Sequence, residues 1–136
     1  MTIQVAVLCD AATDYNGKLS LLGTFDTIFT SQLPAQHPQC SIAIRIAFER
    51  IEEGQHQLKI NFVDEDGGLI MKSMDLPVEV AFPHDTMFIS RNFIVNIQQL
   101  KFEKPGLYSI DLSMDGRQLC GIPLSVKQME SQNPKE

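Results

Sequence analysis

The chain has 136 residues, of which 43% are hydrophobic, 21% charged and 7% aromatic, and it carries a formal charge of −6 at pH 7. That length and balance suit one domain burying about two-thirds of its unfolded surface in a single core, with no need of metal or disulfide staples. Lys and Arg are scattered without a basic stripe, which together with the acidic total argues against a nucleic-acid backbone as partner.

The segment Met1 to Asp10 lacks the basic start and cleavage pattern of a secretory signal, and no apolar run approaches a bilayer span. Cys9, Cys40 and Cys120 are odd in number, and each falls in an alternating apolar register where a free thiol acts as a small core residue. A reducing, cytoplasmic setting without a membrane is therefore expected.

Taken in chain order, Ile3, Val5, Val7 and Cys9 alternate with Gln4, Ala6 and Leu8, predicting a first strand whose odd face is apolar. Thr13 to Gly17 reads as a turn. Leu19, Leu21, Phe25 and Phe29 predict a long second strand, with Gly23 marking a bulge or bend and Pro34 and Pro38 bracketing the loop beyond. Cys40, Ile42, Ile44, Ile46 and Phe48 alternate with Ser41, Ala43, Arg45, Ala47 and Glu49, so one face is core and the other wet. After the Glu52-Glu53-Gly54 turn, Leu58, Ile60 and Phe62 repeat the pattern, and these two strands are expected to pair as a hairpin.

Asp64 to Gly68 closes that strand. Shorter strands are predicted around Leu69 to Met71 and Leu76 to Phe82, and then a longer one from Phe88 to Phe102 with apolar residues on parts of both faces. That pattern fits either a central strand or one whose outer face meets another subunit. Lys104-Pro105-Gly106 turns the chain into a final hairpin. A three-residue loop, Met114-Asp115-Gly116, is expected there, because it puts the two apolar sets on one side, with Ile110 facing Cys120 and Tyr108 facing Ile122. Pro123 reads as a device that blunts an edge.

No stretch of helical length shows apolar spacing of three and four, and Gly or Pro interrupts the chain every 8 to 20 residues or so. About eight or nine short strands at that spacing predict an all-β fold, a two-sheet antiparallel sandwich of immunoglobulin-like or jelly-roll-like type, with a β-barrel as the alternative. One domain is expected over residues 1–126, followed by a polar, aperiodic tail over 127–136 read as disordered.

Leu8-Cys9-Asp10-Ala11-Ala12-Thr13, Gly17 to Asp26, Phe62-Val63-Asp64-Glu65-Asp66-Gly67, Pro105-Gly106-Leu107-Tyr108 and Asp115-Gly116 together resemble an uncharacterised family of small bacterial single-domain proteins, a domain of unknown function. The resemblance spans residues 1 to about 126 and implies a compact domain and a bacterial source. It implies no activity, and no functional residue comes with it.

The chemistry offers little to assemble. There is no G-x-S-x-G elbow, no phosphate-binding G-x-x-x-x-G-K-[ST], no H-E-x-x-H and no C-x-x-C. His37, His56 and His84 lie apart in sequence beside Pro or Gln and read first as exposed loop residues. If every predicted strand crosses the sandwich once, the loops around 31–39, 64–68, 83–87 and 114–117 share one end, collecting His37, Asp64, Glu65, Asp66, His84, Asp85 and Asp115. Such a set would suit Ca²⁺ or, with its imidazoles, a transition metal. The plainer reading is that Asp64, Asp66 and Asp115 initiate turns, as Asp does before Gly. The other end gathers Asp10, Asp14, Glu49, Glu52 and Glu53, an acidic rim that screening renders weak.

A non-catalytic cytoplasmic binding module is therefore expected, with no cofactor and a protein as partner, a second copy of itself included. The alternative is metal-dependent binding or hydrolysis at one loop end, through His37, Asp64, Asp66, His84 and Asp85. Sugar binding on a sheet face is disfavoured by zero Trp and two Tyr.

Overall fold

In a computed structural model, which describes residues 1–130, the cleanest alternation in the sequence becomes the centre of the core. Cys40, Ile42, Ile44, Ile46 and Phe48 are wholly buried on one face of β4, Ala35–Glu49. Facing them are Leu58, Ile60 and Phe62 of β5, Gly54–Val63, and Tyr108, Ile110, Leu112 and Met114 of β8, Gly106–Met114. The remaining strands are β1 (Thr2–Tyr15), β2 (Lys18–Phe25), β3 (Thr27–Thr30), β6 (Met74–Val80), β7 (Phe88–Phe102) and β9 (Arg117–Gln128). They form two open sheets packed face to face, one ordered β2-β1-β4-β7 and the other β3-β9-β8-β5-β6. The fold is an all-β sandwich, and the barrel alternative falls because neither sheet closes on itself. Among the described residues no helix is long and apolar enough to cross a membrane.

Several local expectations are corrected. β4 and β5 do not pair: a 3-10 turn, Arg50–Glu52, carries the chain from one sheet to the other, and β5 instead lies between β6 and β8. Consecutive amphipathic strands can bury their apolar faces against each other across the core as well as side by side. The long second strand divides at Asp26, where the chain changes sheet. β2 stays beside β1, whereas β3 joins β9 in the only parallel pairing among the described strands. In β1 the register shifts between Ile3 and Val5, a bulge that moves the core-facing set from Val5 and Val7 to Ala6 and Leu8.

The outer face of β4 is not uniformly wet. Ser41 and Ala43 are buried there. The tip of the β1–β2 hairpin reaches over this face, with an Arg45 guanidinium nitrogen donating to the Gly17 carbonyl at 2.8 Å and Asn92 Nδ2 donating to Asp14 Oδ2 at 2.9 Å. Gly23 permits the bend. It has φ +66°, and a Cβ there would press on the Asp10 carboxylate, so a side chain would displace Asp10 as well as strain the backbone.

The last hairpin has its two apolar sets on one side, as expected, by a different device. The loop is the two-residue Asp115-Gly116, with φ +52° and +82°, the geometry of a type I′ turn. A register shift between Leu112 and Ser113 leaves Leu119 without a partner and restores the faces, so that Leu112 opposes Cys120 and Ile110 opposes Ile122. Lys127 and Gln128 belong to β9, paired with Phe29 and Thr30, so the domain runs past residue 126. Of the predicted tail, residues 131–136 lie outside the described residues.

Candidate functional site

The segment Leu69–Met71, read as a strand, makes only an isolated bridge from Leu69 to Val63. Counting it as a crossing reversed the end assigned to every later loop. With it removed, the loops at 49–57, 83–87 and 114–117 share one end of the sandwich, and those at 64–75 and 101–106 share the other. Contacts bear this out: an Arg50 guanidinium nitrogen donates to the carbonyls of Pro83 and Thr86, whereas Leu107 N donates to Glu65 Oε1.

The five residues proposed from sequence as a metal set are therefore divided. His84 and Asp85 lie at the first end, 3.5 Å apart and almost fully exposed. Asp64 and Asp66 lie at the second. Asp64 Oδ1 accepts from the amides of Asp66 and Gly68 at 3.0 and 2.9 Å, the turn-initiating role weighed against metal binding, and Asp66 pairs loosely with Lys104 at 3.6 Å. His37 packs at a tilt against Phe25, with ring centres 5.5 Å apart, and its Nε2 is buried without a hydrogen-bond partner. Among the described residues, no three His, Cys, Asp or Glu side chains converge as a metal site would require.

The pairing that sequence reasoning missed is His56 with Asp115. His56 opens β5 and stacks on Phe48, and the type I′ turn presents Asp115 to it. Nδ1 of His56 lies 2.6 Å from Asp115 Oδ2, and Nε2 lies 2.6 Å from the Glu52 carbonyl. Asp115 Oδ1 also accepts from the Gln57 amide at 2.8 Å. The hydrogen bond to Asp115, then that to Glu52, raises the His56 pKa above its ordinary value. In turn His56, followed by the Gln57 amide, holds the Asp115 carboxyl below the usual range. With both ring nitrogens facing acceptors the surroundings favour the protonated imidazole, and neither nitrogen is free to take a substrate proton. The pair clamps the β8–β9 turn onto the start of β5.

Beside the clamp lies a cavity of about 430 Å³ lined by Met1, Glu52, Met114, Asp115, Arg117, Gln118 and Leu119. It contains no Ser, Cys or Thr that the imidazole could activate. At the opposite end the Tyr108 hydroxyl donates to the Lys104 carbonyl at 2.5 Å, pinning the corner before β8.

β7 differs from the expectation of a central strand. It pairs with β4 alone and forms one edge of its sheet. Phe88 is exposed, Phe93, Ile94 and Val95 are half-buried, and Met87 and Ile51 stand out at the same end as Phe88. The strand thus has one side without a paired neighbour and apolar residues on both faces.

The geometry is that of a two-layer β-sandwich whose polar groups fasten loops and in which β7 lies at a sheet edge. The chain belongs to the family of unknown function DUF6941, whose sequence model matches residues 4–127. No curated protein matches the chain. Among solved structures, the chain is similar to Pseudomonas fluorescens alkylpurine DNA glycosylase AlkC bound to DNA containing an abasic site analog. The TM-score is 0.54 at 7% identity, over 93% of this chain and 30% of that one, a likeness of fold alone. A β-glucuronidase from glycoside hydrolase family 2 aligns over 65% of this chain and 10% of that one, at TM-score 0.37 and 12% identity. The chain thus spans less than a third of either protein.

Proposed function

We propose that the chain is a non-catalytic protein-binding module of the bacterial cytoplasm, immunoglobulin-like in type, that engages its partner along the β7 edge. The observation that carries this reading is the unpaired edge itself, whose backbone N–H and C=O groups can accept a further strand while Phe93, Ile94 and Val95 supply apolar contact on both faces. The pinned tyrosine at the start of β8 supports the immunoglobulin-like assignment. Three free thiols, two of them wholly buried, support a reducing compartment. The DNA held by the glycosylase is not carried over, because this chain's −6 charge and scattered cations oppose a phosphate backbone.

The test is site-specific photo-crosslinking in a bacterial host, with the photoreactive residue at the exposed Gln98 of β7 or, as control, at Glu79 of β6. Protein adducts from Gln98 and not from Glu79 are expected. Equal yields, or none from Gln98, would overturn the reading. Titration with Ca²⁺, Mn²⁺ and Zn²⁺ addresses the metal-dependent alternative, whose ligands the fold holds at separate ends. Heat of binding at sub-millimolar metal, abolished by Asp64→Asn, would restore it.

A further inference from the structure

The two sheets leave four edges among the described strands, and they are not equally guarded. β3 is four residues long. β6 carries Pro77 between Asp75 and Glu79, and β2 is only eight residues long, with Gly23 at φ +66° within it. Shortness, proline, charge and bulges are the devices by which sheets refuse another strand. From Phe88 to Gln98, before the left-handed Gln99 at φ +56°, β7 is neither short nor interrupted by proline or a bulge. Its single charge in that span, Arg91, does not guard the edge either, since its guanidinium is turned toward the other sheet and donates to the Glu79 carbonyl at 2.8 Å. Roughly 35 Å of strand edge is left open.

From this we infer that β7 pairs with β7 of a second copy of the chain, antiparallel across a two-fold axis, joining the two four-stranded sheets into one. The inference rests on the binding-module reading and names its partner. Self-pairing of an antiparallel edge is isologous, so each donor and acceptor on β7 meets its counterpart on the image strand without any separate complementary surface. The charges permit it. With the axis at any residue from Asn92 to Val95, Arg91 faces a residue between 93 and 99, and Phe93, Ile94, Val95, Asn96, Ile97, Gln98 and Gln99 are all uncharged. A neutral edge is also the approach along which two copies of an acidic protein repel each other least. On the outer face Ile94 lies near the axis and is half-buried in the single chain, so its own image completes its burial.

Sedimentation equilibrium over a concentration series is expected to give a mass tending to twice 15.3 kDa. Ile94→Lys sets two ammonium groups against each other near the axis and should raise the dissociation constant at least tenfold, whereas Ile94→Thr, neutral and strand-forming, should raise it far less. Hydrogen exchange on the unaltered chain reads the same edge without any substitution. Amides between Phe88 and Gln98 should slow as concentration rises. A 15.3 kDa species at all concentrations, or a dimer equally tight in both variants with no concentration-dependent protection of β7, would overturn the inference. A monomer that still crosslinks to another protein through Gln98 removes the self-pairing and leaves the binding-module reading intact. A monomer without such crosslinks removes both.

Discussion

Replacing Asp115 by Asn separates charge from shape at the His56 clamp. Asn adopts the positive φ of the type I′ turn at least as readily as Asp, and its amide oxygen can still receive the Gln57 N–H, so the turn survives. What is lost is the carboxylate facing His56 Nδ1 at 2.6 Å. A charge-assisted hydrogen bond contributes about 1.5–3 kcal/mol, but the Asp115 side chain is 45% exposed and water replaces part of it, which leaves about 1 kcal/mol. For a domain of this size that lowers Tm by about 3–4 °C. The sign of the pH dependence follows from the directions of the two shifts. The His56 pKa is raised on folding, so its stabilisation is complete below the ordinary value of 6.5 and is lost as pH rises through the folded value. That of Asp115 is lowered, so its contribution is present above the ordinary 3.8 and lost as pH falls through the folded value. Urea unfolding of the two proteins should therefore show the full difference between the two ordinary values, at about pH 5.5, and a smaller one as pH rises through the folded value of His56. A difference that is constant with pH, or larger in alkali, would refute the clamp as described.

Phe62 is wholly buried and meets Phe102 edge-on at 6.1 Å, so Phe62→Ala should cost about 3–5 kcal/mol in urea unfolding; a loss under about 1.5 kcal/mol would mean that the facing sheets close over the gap. Gly23→Ala combines backbone strain with a Cβ placed against the Asp10 carboxylate. It should destabilise by about 1–3 kcal/mol, and adding Asp10→Gly should recover the part due to the clash and not the part due to φ, as thermal unfolding of the three variants would reveal. Burial, with smaller contributions from Cys9 and Asp10, pushes the Cys40 thiol up to about 11. Iodoacetamide at neutral pH should accordingly modify the partly exposed Cys120 first and reach Cys40 only as fast as the core opens, timed by mass spectrometry; rapid labelling of Cys40 would contradict its placement.

What was legible in the sequence is what a period of two can carry. The faces of β4, β5, β8 and β9 follow directly from alternation, because a half-buried strand must put its apolar residues on one side. Where a bulge interrupts the period, parity ceases to be readable: Gln4 in β1 and Leu119 in β9 each add one residue, and the apolar set changes sides beyond it. Alternation also says nothing of which sheet a strand joins, so β4 and β5 looked like a hairpin although the 3-10 turn between them crosses the core. The His56–Asp115 clamp was hidden by the same kind of slip. Leu69–Met71 is apolar enough to resemble a strand, yet the Asp64 carboxylate folds that segment back through the amides of Asp66 and Gly68, and one false crossing sent Asp115 to the wrong end.

The edges were unreadable for a further reason, which bears on function. A strand's place in its sheet depends on pairings far away in sequence, and Phe88–Phe102 has the apolar content of a central strand while lying at a border. Local composition and global position disagree there, and nowhere else in the described fold does so long a run show that conflict. Sequences that specify one structure avoid such conflicts except where another requirement holds them in place. Phe93 and Val95 pack against the core, but stability of the isolated chain does not require an apolar Ile94 on the outer face, since a lysine there would leave the core contacts of Phe93, Val95, Ile97, Leu100 and Phe102 untouched. A further strand laid along β7 reconciles the two levels: it turns the border into an interior position, the environment that the apolar content of this strand fits.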